Sequence, residues 1–333
     1  MVAALAVGRA GRPNVLILSA SRKVLLVRAF QEAVRAAGAG QVLAADIDPF
    51  AAALRVADGA RIVPRSEDPA FVPALLELCA ADQVGLVVPT RDEELPKLAA
   101  ARDRFLVGGT LVLVSAPAPI ETCADKRRFS AAVRAAGLAT PATYEDPATV
   151  RLPAFVKPRR GKGGDRTARV DTPAELAAAL ATAGADAIVQ ELIDAPEFTI
   201  DVFLDLAGQP ISCVPRERIA VVAGESVVSR TVRDPELSAA ALQLCTAIGL
   251  IGHVTVQAFR TPDSILFIEV NPRYGGAANL GFQAGAPSPE YALALARGER
   301  VAPRLGRYEA GLVMLRYADD LLVRDADLVR GGS

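Results

Sequence analysis

Glu269, Asn271 and Arg273 stand at alternate positions in FIEVNPRYGG, where an apolar run (Ile265, Leu266, Phe267, Ile268, Val270) breaks into a proline and two glycines. Such a run reads as a buried strand, and a lone carboxylate inside one is costly unless a cation or a paired base meets it. The preceding run, IGHVTVQAFR, carries Gln257 twelve residues ahead of Glu269, so a tight turn between the strands could set the two side chains opposite each other. Two or three oxygen ligands on rigid strands leave room for phosphate oxygens and water, which is how Mg²⁺ is ordinarily held. Gln257, Glu269 and Asn271 are therefore the expected ligands of Mg²⁺ or Mn²⁺. Arg273 stands two residues beyond such a ligand.

A second concentration of chemistry lies in PAFVKPRRGKGGDR. Gly161, Gly163 and Gly164, with Lys157, Arg159, Arg160 and Lys162 around them, form a cationic loop whose backbone N–H groups could cover phosphates without obstruction. A solvated hairpin tip is the plain alternative. VPRERIAVVAGE and VVSRT bring Arg216, Arg218, Glu225 and Arg230 beside the expected catalytic strands, where arginines can grip a substrate carboxylate. Exposed strand charge is the alternative there. His253, the single histidine, reads as a satisfied buried residue rather than a general base. Cys79, Cys123, Cys213 and Cys245 stand far apart with no C-x-x-C pair and read as reduced core thiols.

The elements that must carry these residues follow from composition and pattern. Hydrophobic residues make up 51% of the 333 and aromatics only 5%, which suits an α/β protein rich in Ala, Val and Leu. A net charge of -1 gives no bulk attraction to nucleic acid or an anionic membrane, so any polyanion must be met locally. The apolar run opening MVAALAVGRAGRP is too brief for a secretory signal and no run reaches transmembrane length, so a cytoplasmic protein is expected. The first third alternates strand runs (NVLILSA, QVLAADI, VGLVVP) with helical runs such as VLLVRAFQEAVRAAG, the pattern of a doubly wound parallel sheet. Its first turn, Ser19 to Lys23, is not G-x-G-x-x-G and reads as a tight turn with solvated Arg22 and Lys23. A second unit begins near Pro117, and beyond it the strands become shorter, with hairpin-like spacing.

ILSASRKVLLVRAF, AADIDPFAAALRVAD, VVPTRDEEL, ADKRRFSAAVRAAGL, PAFVKPRRGKGGDR, IVQELIDAPEFTIDVF, VTVQAF and FIEVNPRYGG occur in that order. Through them the chain resembles the ATP-grasp superfamily, above all the synthetase half of the carbamoyl phosphate synthase large subunit and the free-standing ATP-grasp carboxylate-amine ligases. The resemblance implies an α/β and α+β protein with an ATP-grasp fold. Residues 1–116 would form a doubly wound parallel-sheet domain, 117–195 a small lid subdomain and 196–333 a C-terminal catalytic subdomain.

The same resemblance implies ATP, with Lys126 and Lys157 as phosphate-binding cations and Gly161 to Gly164 as a flap over the triphosphate. Glu191 would accept from the adenine amino group, Leu192 and Ile193 would line the purine, and Glu197 would hold the ribose hydroxyls. Arg273, Asn271 and Lys157 would handle the transferred phosphoryl group. The implied activity is an ADP-forming ligase that activates a small carboxylate as an acyl phosphate and joins it to an amine or similar nucleophile. Neither nucleic acid nor membrane is an expected partner, and a homodimer is left open. A subunit of a split carbamoyl phosphate synthase and a non-catalytic nucleotide-binding regulator are the alternatives. The sequence departs from the family pattern at Ser21, often a glycine there, and at Asp165 in the flap, which is expected to pair with Arg166, Arg160 or Lys162.

Overall fold

The computed structural model of the protein describes residues 14–38, 40–161, 166–325 and 328. The opening segment, the flap residues Lys162, Gly163, Gly164 and Asp165, and the chain end lie outside the described residues.

Strand and helix alternate first, as β1 (Asn14–Ile17), α1 (Val24–Ala36), β2 (Val42–Asp46), α2 (Ala52–Val56), β3 (Gly59–Ile62), α3 (Phe71–Ala81), β4 (Val84–Val88), α4 (Leu95–Val107) and β5 (Leu111–Val112). The strands make one parallel sheet in the order β3-β2-β1-β4-β5. β2 and β4 are buried along their whole length because helices cover both faces, which is why they read as continuous apolar runs. The strand order reverses between β1 and β4, so their carboxyl ends flank a topological switch point. The turn after β1 holds Ser19 and Ser21 at φ 46° and 45°, the left-handed region that glycine adopts freely.

α5 (Pro117–Ala124) and α6 (Lys126–Ala135) follow, and then the strands of a four-stranded sheet. These are β6 (Thr143–Tyr144), β7 (Ala154–Lys157), β8 (Ala168–Val170) and, after α7 (Pro173–Ala183), β9 (Ile188–Glu191), in the order β6-β9-β7-β8. α7 opens on a capping box between Thr172 and Glu175 and packs Leu176 against Val156 and Val170.

The third sheet comprises β10 (Glu197–Leu204), β11 (Pro210–Val222), β12 (Glu225–Thr231), β13 (Gly252–Arg260), β14 (Ile265–Asn271) and β15 (Val313–Leu315). Its order is β14-β13-β10-β11-β12-β15, with antiparallel neighbours throughout. α8 (Pro235–Ile248) covers one face, starting at Asp234, which accepts the Leu237 N–H, and ending at the left-handed Gly249.

The span 117–195 expected as one lid unit divides. Phe129 and Val133 of α6 bury against Leu237, Leu244 and Val254, so this helix packs with the six-stranded sheet and α8, and the lid sheet begins only at β6. α9 (Asn279–Gln283) and α10 (Ser288–Ala296) turn back onto α1, where Tyr274 meets Phe30 edge-on with ring centroids 5.7 Å apart. Tyr274, Tyr291 and Ala292 thereby join the core of the N-terminal sheet domain. Among the described residues no helix is long and apolar enough to cross a membrane. The four cysteines are free, with Cys79, Cys213 and Cys245 buried and Cys123 half-buried.

Candidate active site

Gln257 and Glu269 are direct cross-strand partners, with Thr255 opposite Asn271 two residues on. Between Gln257 and Ala258 the register slips by one, because Ala258 pairs with Phe267 and Ile268 is the extra residue. A bulge of this kind re-aims side chains, and here the adjacent Ile268 and Glu269 both line one cleft, together with Gln257. Asn271 Nδ2 donates to Glu269 Oε1 at 3.0 Å, which leaves the Asn271 oxygen facing onward to Arg273 Nη2 at 3.3 Å.

The cleft has a volume of about 410 Å³ and runs between the four-stranded and six-stranded sheets. Lys157 and Gly161 line it from the lid side, and Lys126 from the start of α6. Lys157, at the end of β7, is 5% exposed, and burial brings its ammonium down to about 8; Glu269 opposes that shift and Lys126 adds to it. Burial also lowers Lys126, with Glu269 again working the other way. Lys126 Nζ donates to the Gly161 carbonyl at 3.0 Å, tying the start of α6 to the first flap glycine. Two lysines whose charge is disfavoured by desolvation are poised to take up a polyanion.

Glu191, Leu192, Ile193, Glu197 and Arg218 line the same cleft. One Glu191 oxygen already accepts the Ala142 N–H at 2.8 Å, so only part of that carboxylate is open to an adenine. Glu197 stands 3.2 Å from Arg218 Nε, and its pKa is raised by burial, Arg218 opposing and Glu269 adding to the rise. Arg218, expected as an acceptor-site residue, is thus a wall of this cleft and the partner of Glu197.

The other expected acceptor residues are committed elsewhere. Arg216 is 2% exposed and donates from Nε to Asp201 Oδ2 at 2.8 Å, forming a buried ion pair within the sheet. Arg230 pairs with Glu217 at 2.6 Å, and Glu225 pairs with Arg316. The structure does not bring these three into the cleft. Arg159 and Arg160 are likewise engaged, by Asp125, which also caps α6 through the Arg127 and Arg128 amides. Of the loop's described cations, Lys157 therefore faces the cleft while Arg159 and Arg160 are turned to Asp125, and Lys126 faces the cleft from the start of α6. His253 is buried, with Nδ1 3.0 Å from Ser288 Oγ and its ring stacked on Tyr274 at 4.2 Å, as a structural histidine would be.

Arg273 does not line the cleft wall directly; its guanidinium is gripped by Asp92 from the N-terminal domain, Nε to Oδ1 at 2.8 Å and Nη2 to Oδ2 at 2.5 Å. Burial works against that charge, but Asp92 and then Glu269 outweigh it and raise the Arg273 pKa. Asp92, Asp125 and Asp201 are the partners that sequence reasoning missed. VVPTRDEEL and ADKRRF contain the first two, but nothing local says which cation each will meet.

For a metal, Glu269, Gln257 and Asn271 offer one carboxylate and two side-chain amides. Among the described residues no group of three or more His, Cys, Asp or Glu is gathered. This donor set fits a hard cation that completes its shell from phosphate oxygens and water, and does not fit a soft or thiophilic one.

Residues 15–113 match the family described as PylC-like, N-terminal domain, and residues 123–277 match the ATP-grasp domain family. No curated protein matches the sequence significantly. Among solved structures the chain is similar to the biotin carboxylase domain dimer of Hydrogenobacter thermophilus 2-oxoglutarate carboxylase, in complex with MgADP, ADP and bicarbonate. That likeness has 17% identity, covers 91% of this chain and 74% of that one, and has a TM-score of 0.73. It is similar to the L-amino acid ligase from Bacillus licheniformis at 20% identity, 86% and 74% coverage and a TM-score of 0.68. It is also similar to the Staphylococcus aureus N5-carboxyaminoimidazole synthetase complexed with ADP, at 13% identity, 87% and 79% coverage and a TM-score of 0.71. At such identities the likeness speaks to the fold. The chain therefore carries an ATP-grasp domain set behind a PylC-like N-terminal domain.

Proposed function

We propose that this protein is an ADP-forming ligase that activates a small carboxylate with ATP and joins it to an amine or similar nucleophile. The observation that carries the reading is the convergence in one cleft of buried Lys157 and its neighbour Lys126 with the Gln257–Glu269 pair. Cations on one wall and metal-type oxygens on the other suit a triphosphate held between two sheets.

In this reading Leu192 and Ile193 line the purine, Glu197 receives the ribose hydroxyls, and Lys126 and Lys157 meet the phosphates. Gln257, Glu269 and Asn271 would hold Mg²⁺ or Mn²⁺, which would offset the charge of the phosphates. Lys157 shields the γ-phosphate as the substrate carboxylate oxygen attacks it, and Arg273 offsets the charge on the phosphoryl group in transfer. An amine then displaces phosphate from the resulting acyl phosphate. No side chain need act as a covalent nucleophile, so positioning and charge neutralisation are the whole of the protein's contribution. The relatives named above include an amino acid ligase and a carboxylase domain with bicarbonate bound, both in keeping with a small carboxylate.

The test is a product assay over a panel of amino acids, bicarbonate and small carboxylates, each with amine acceptors. ADP and phosphate are expected with the right pair. AMP and pyrophosphate would sink the acyl phosphate chemistry, and MgATP binding without turnover on any pair would favour a nucleotide-binding regulator.

A further inference from the structure

We propose that Asp92 is the positioning residue of Arg273, so that the N-terminal sheet domain completes the phosphoryl-handling site. The role of Arg273 is taken from the ligase reading above, whereas the placement of its side chain stands on the geometry alone.

The grip is two-pronged and spans 181 residues of sequence. Two parallel N–H···O bonds fix the plane of a guanidinium as well as its position, which a lysine ammonium could not reproduce. The pair is shielded, with the Arg273 and Asp92 side chains 16% and 28% exposed. The same Nη2 that donates to Asp92 also donates to Asn271 Oδ1 at 3.3 Å, and Asn271 in turn donates to Glu269. Asp92 therefore joins a continuous line of hydrogen bonds that ends at the expected metal ligands.

Asp92 is itself held on a braced turn. Glu94 is 1% exposed and accepts the Thr90 and Arg91 amides on Oε1, at 2.6 and 2.9 Å, and the Ser19 hydroxyl on Oε2 at 2.8 Å. Thr90 Oγ1 donates to the Leu18 carbonyl at 2.7 Å, tying the turn after β4 to the end of β1. Arg273 is anchored from its own side by Tyr274, which is stacked on His253 and set edge-on to Phe30. Both partners thus stand on rigid supports from different sheets, as a preorganised site requires. A free arginine would have to freeze its long side chain on the way to the transition state; one already held does not.

Asp92→Asn and Asp92→Glu test this, with three readouts. The Arg273 Nε–H signal in ¹⁵N-correlated NMR, assigned by its loss in Arg273→Lys, reports the grip without turnover. MgATP affinity by calorimetry reports the nucleotide cleft, and kcat and KM follow on whichever substrate pair the panel identifies. In Asp92→Asn the Arg273 signal is expected to shift and exchange faster. kcat should fall on the order of 10- to 100-fold, the range for a lost supporting contact. MgATP affinity should stay within about twofold, since Asp92 lies outside the nucleotide cleft, and Asp92→Glu, which keeps the carboxylate, should recover part of kcat. An unmoved Arg273 signal overturns the proposal. So does a fall in melting temperature with kcat per folded molecule unchanged, since that makes the pair a structural clasp. A wild type that turns over none of the panel while the Arg273 signal still responds to Asp92→Asn would instead remove the ligase reading and leave the positioning of Arg273 by Asp92 in place.

Discussion

Glu269 faces Gln257 across β13 and β14, and within electrostatic range it also meets Lys157, Lys126 and Arg273. The carboxylate read from sequence as a lone buried charge is therefore offset by cations even before any metal arrives. That changes what its removal should do.

Glu269→Gln keeps the shape and the oxygen that accepts from Asn271 but drops the charge. Metal-dependent ADP formation should fall by at least about 100-fold, because an amide cannot offset a divalent cation as a carboxylate does. Lys157 should titrate below its present value of about 8, since the charge that raises it is gone. Full activity in this variant would end the metal reading.

In the ligase reading, Lys157 should make nucleotide binding depend on pH. Its pKa in the folded, ligand-free protein is lowered from 10.5 to about 8, so its ammonium costs stability below pH 8 and that cost fades between pH 8 and 10.5. A bound triphosphate favours the charged form. ATP binding at pH 8 should therefore take up about half a proton, and affinity should decline as pH rises above 8. Calorimetry in buffers of different ionisation enthalpy measures the uptake; Lys157→Arg, charged throughout, should abolish it.

Lys126→Ala should weaken ATP binding by about 1 to 3 kcal/mol, the range for losing a hydrogen bond to a charged group, with little change in ligand-free melting temperature. A large loss of ligand-free stability with unchanged ATP affinity would instead make the Lys126–Gly161 contact its main purpose.

Arg216 and Arg218, two residues apart on β11, should behave oppositely. Arg216→Ala leaves the buried Asp201 with only the His253 ring beside it, Nε2 at 3.7 Å, and should cost about 3 to 5 kcal/mol of stability, read by denaturant unfolding. Arg218→Ala should leave the fold standing and weaken nucleotide binding by about 1 kcal/mol through Glu197. Equal effects of the two on stability would remove Arg218 from the nucleotide cleft.

By itself the sequence determined the local geometry of this protein. Alternating apolar runs and helical periodicity are properties of neighbouring residues, so the parallel sheet was legible, and so was the facing of Gln257 and Glu269 across a short turn. The lysines of the cleft were legible too, because they sit in short strings whose order resembles a known family. What only the tertiary structure decided was which charge meets which. With 37 Lys and Arg against 38 Asp and Glu, composition leaves every pairing open. Asp92 reaches Arg273 only because Tyr274, α9 and α10 fold the end of the six-stranded sheet onto the N-terminal domain. Arg216 turns inward to Asp201 because the two are near-neighbours across β10 and β11, with Asp201 opposite Val214 and Arg216 opposite Thr199. α6 leaves the lid for the same kind of reason, since its apolar stripe needs a partner and the six-stranded sheet with α8 supplies one. Periodicity tells a helix which face to bury; only the packing of distant elements supplies what that face is buried against.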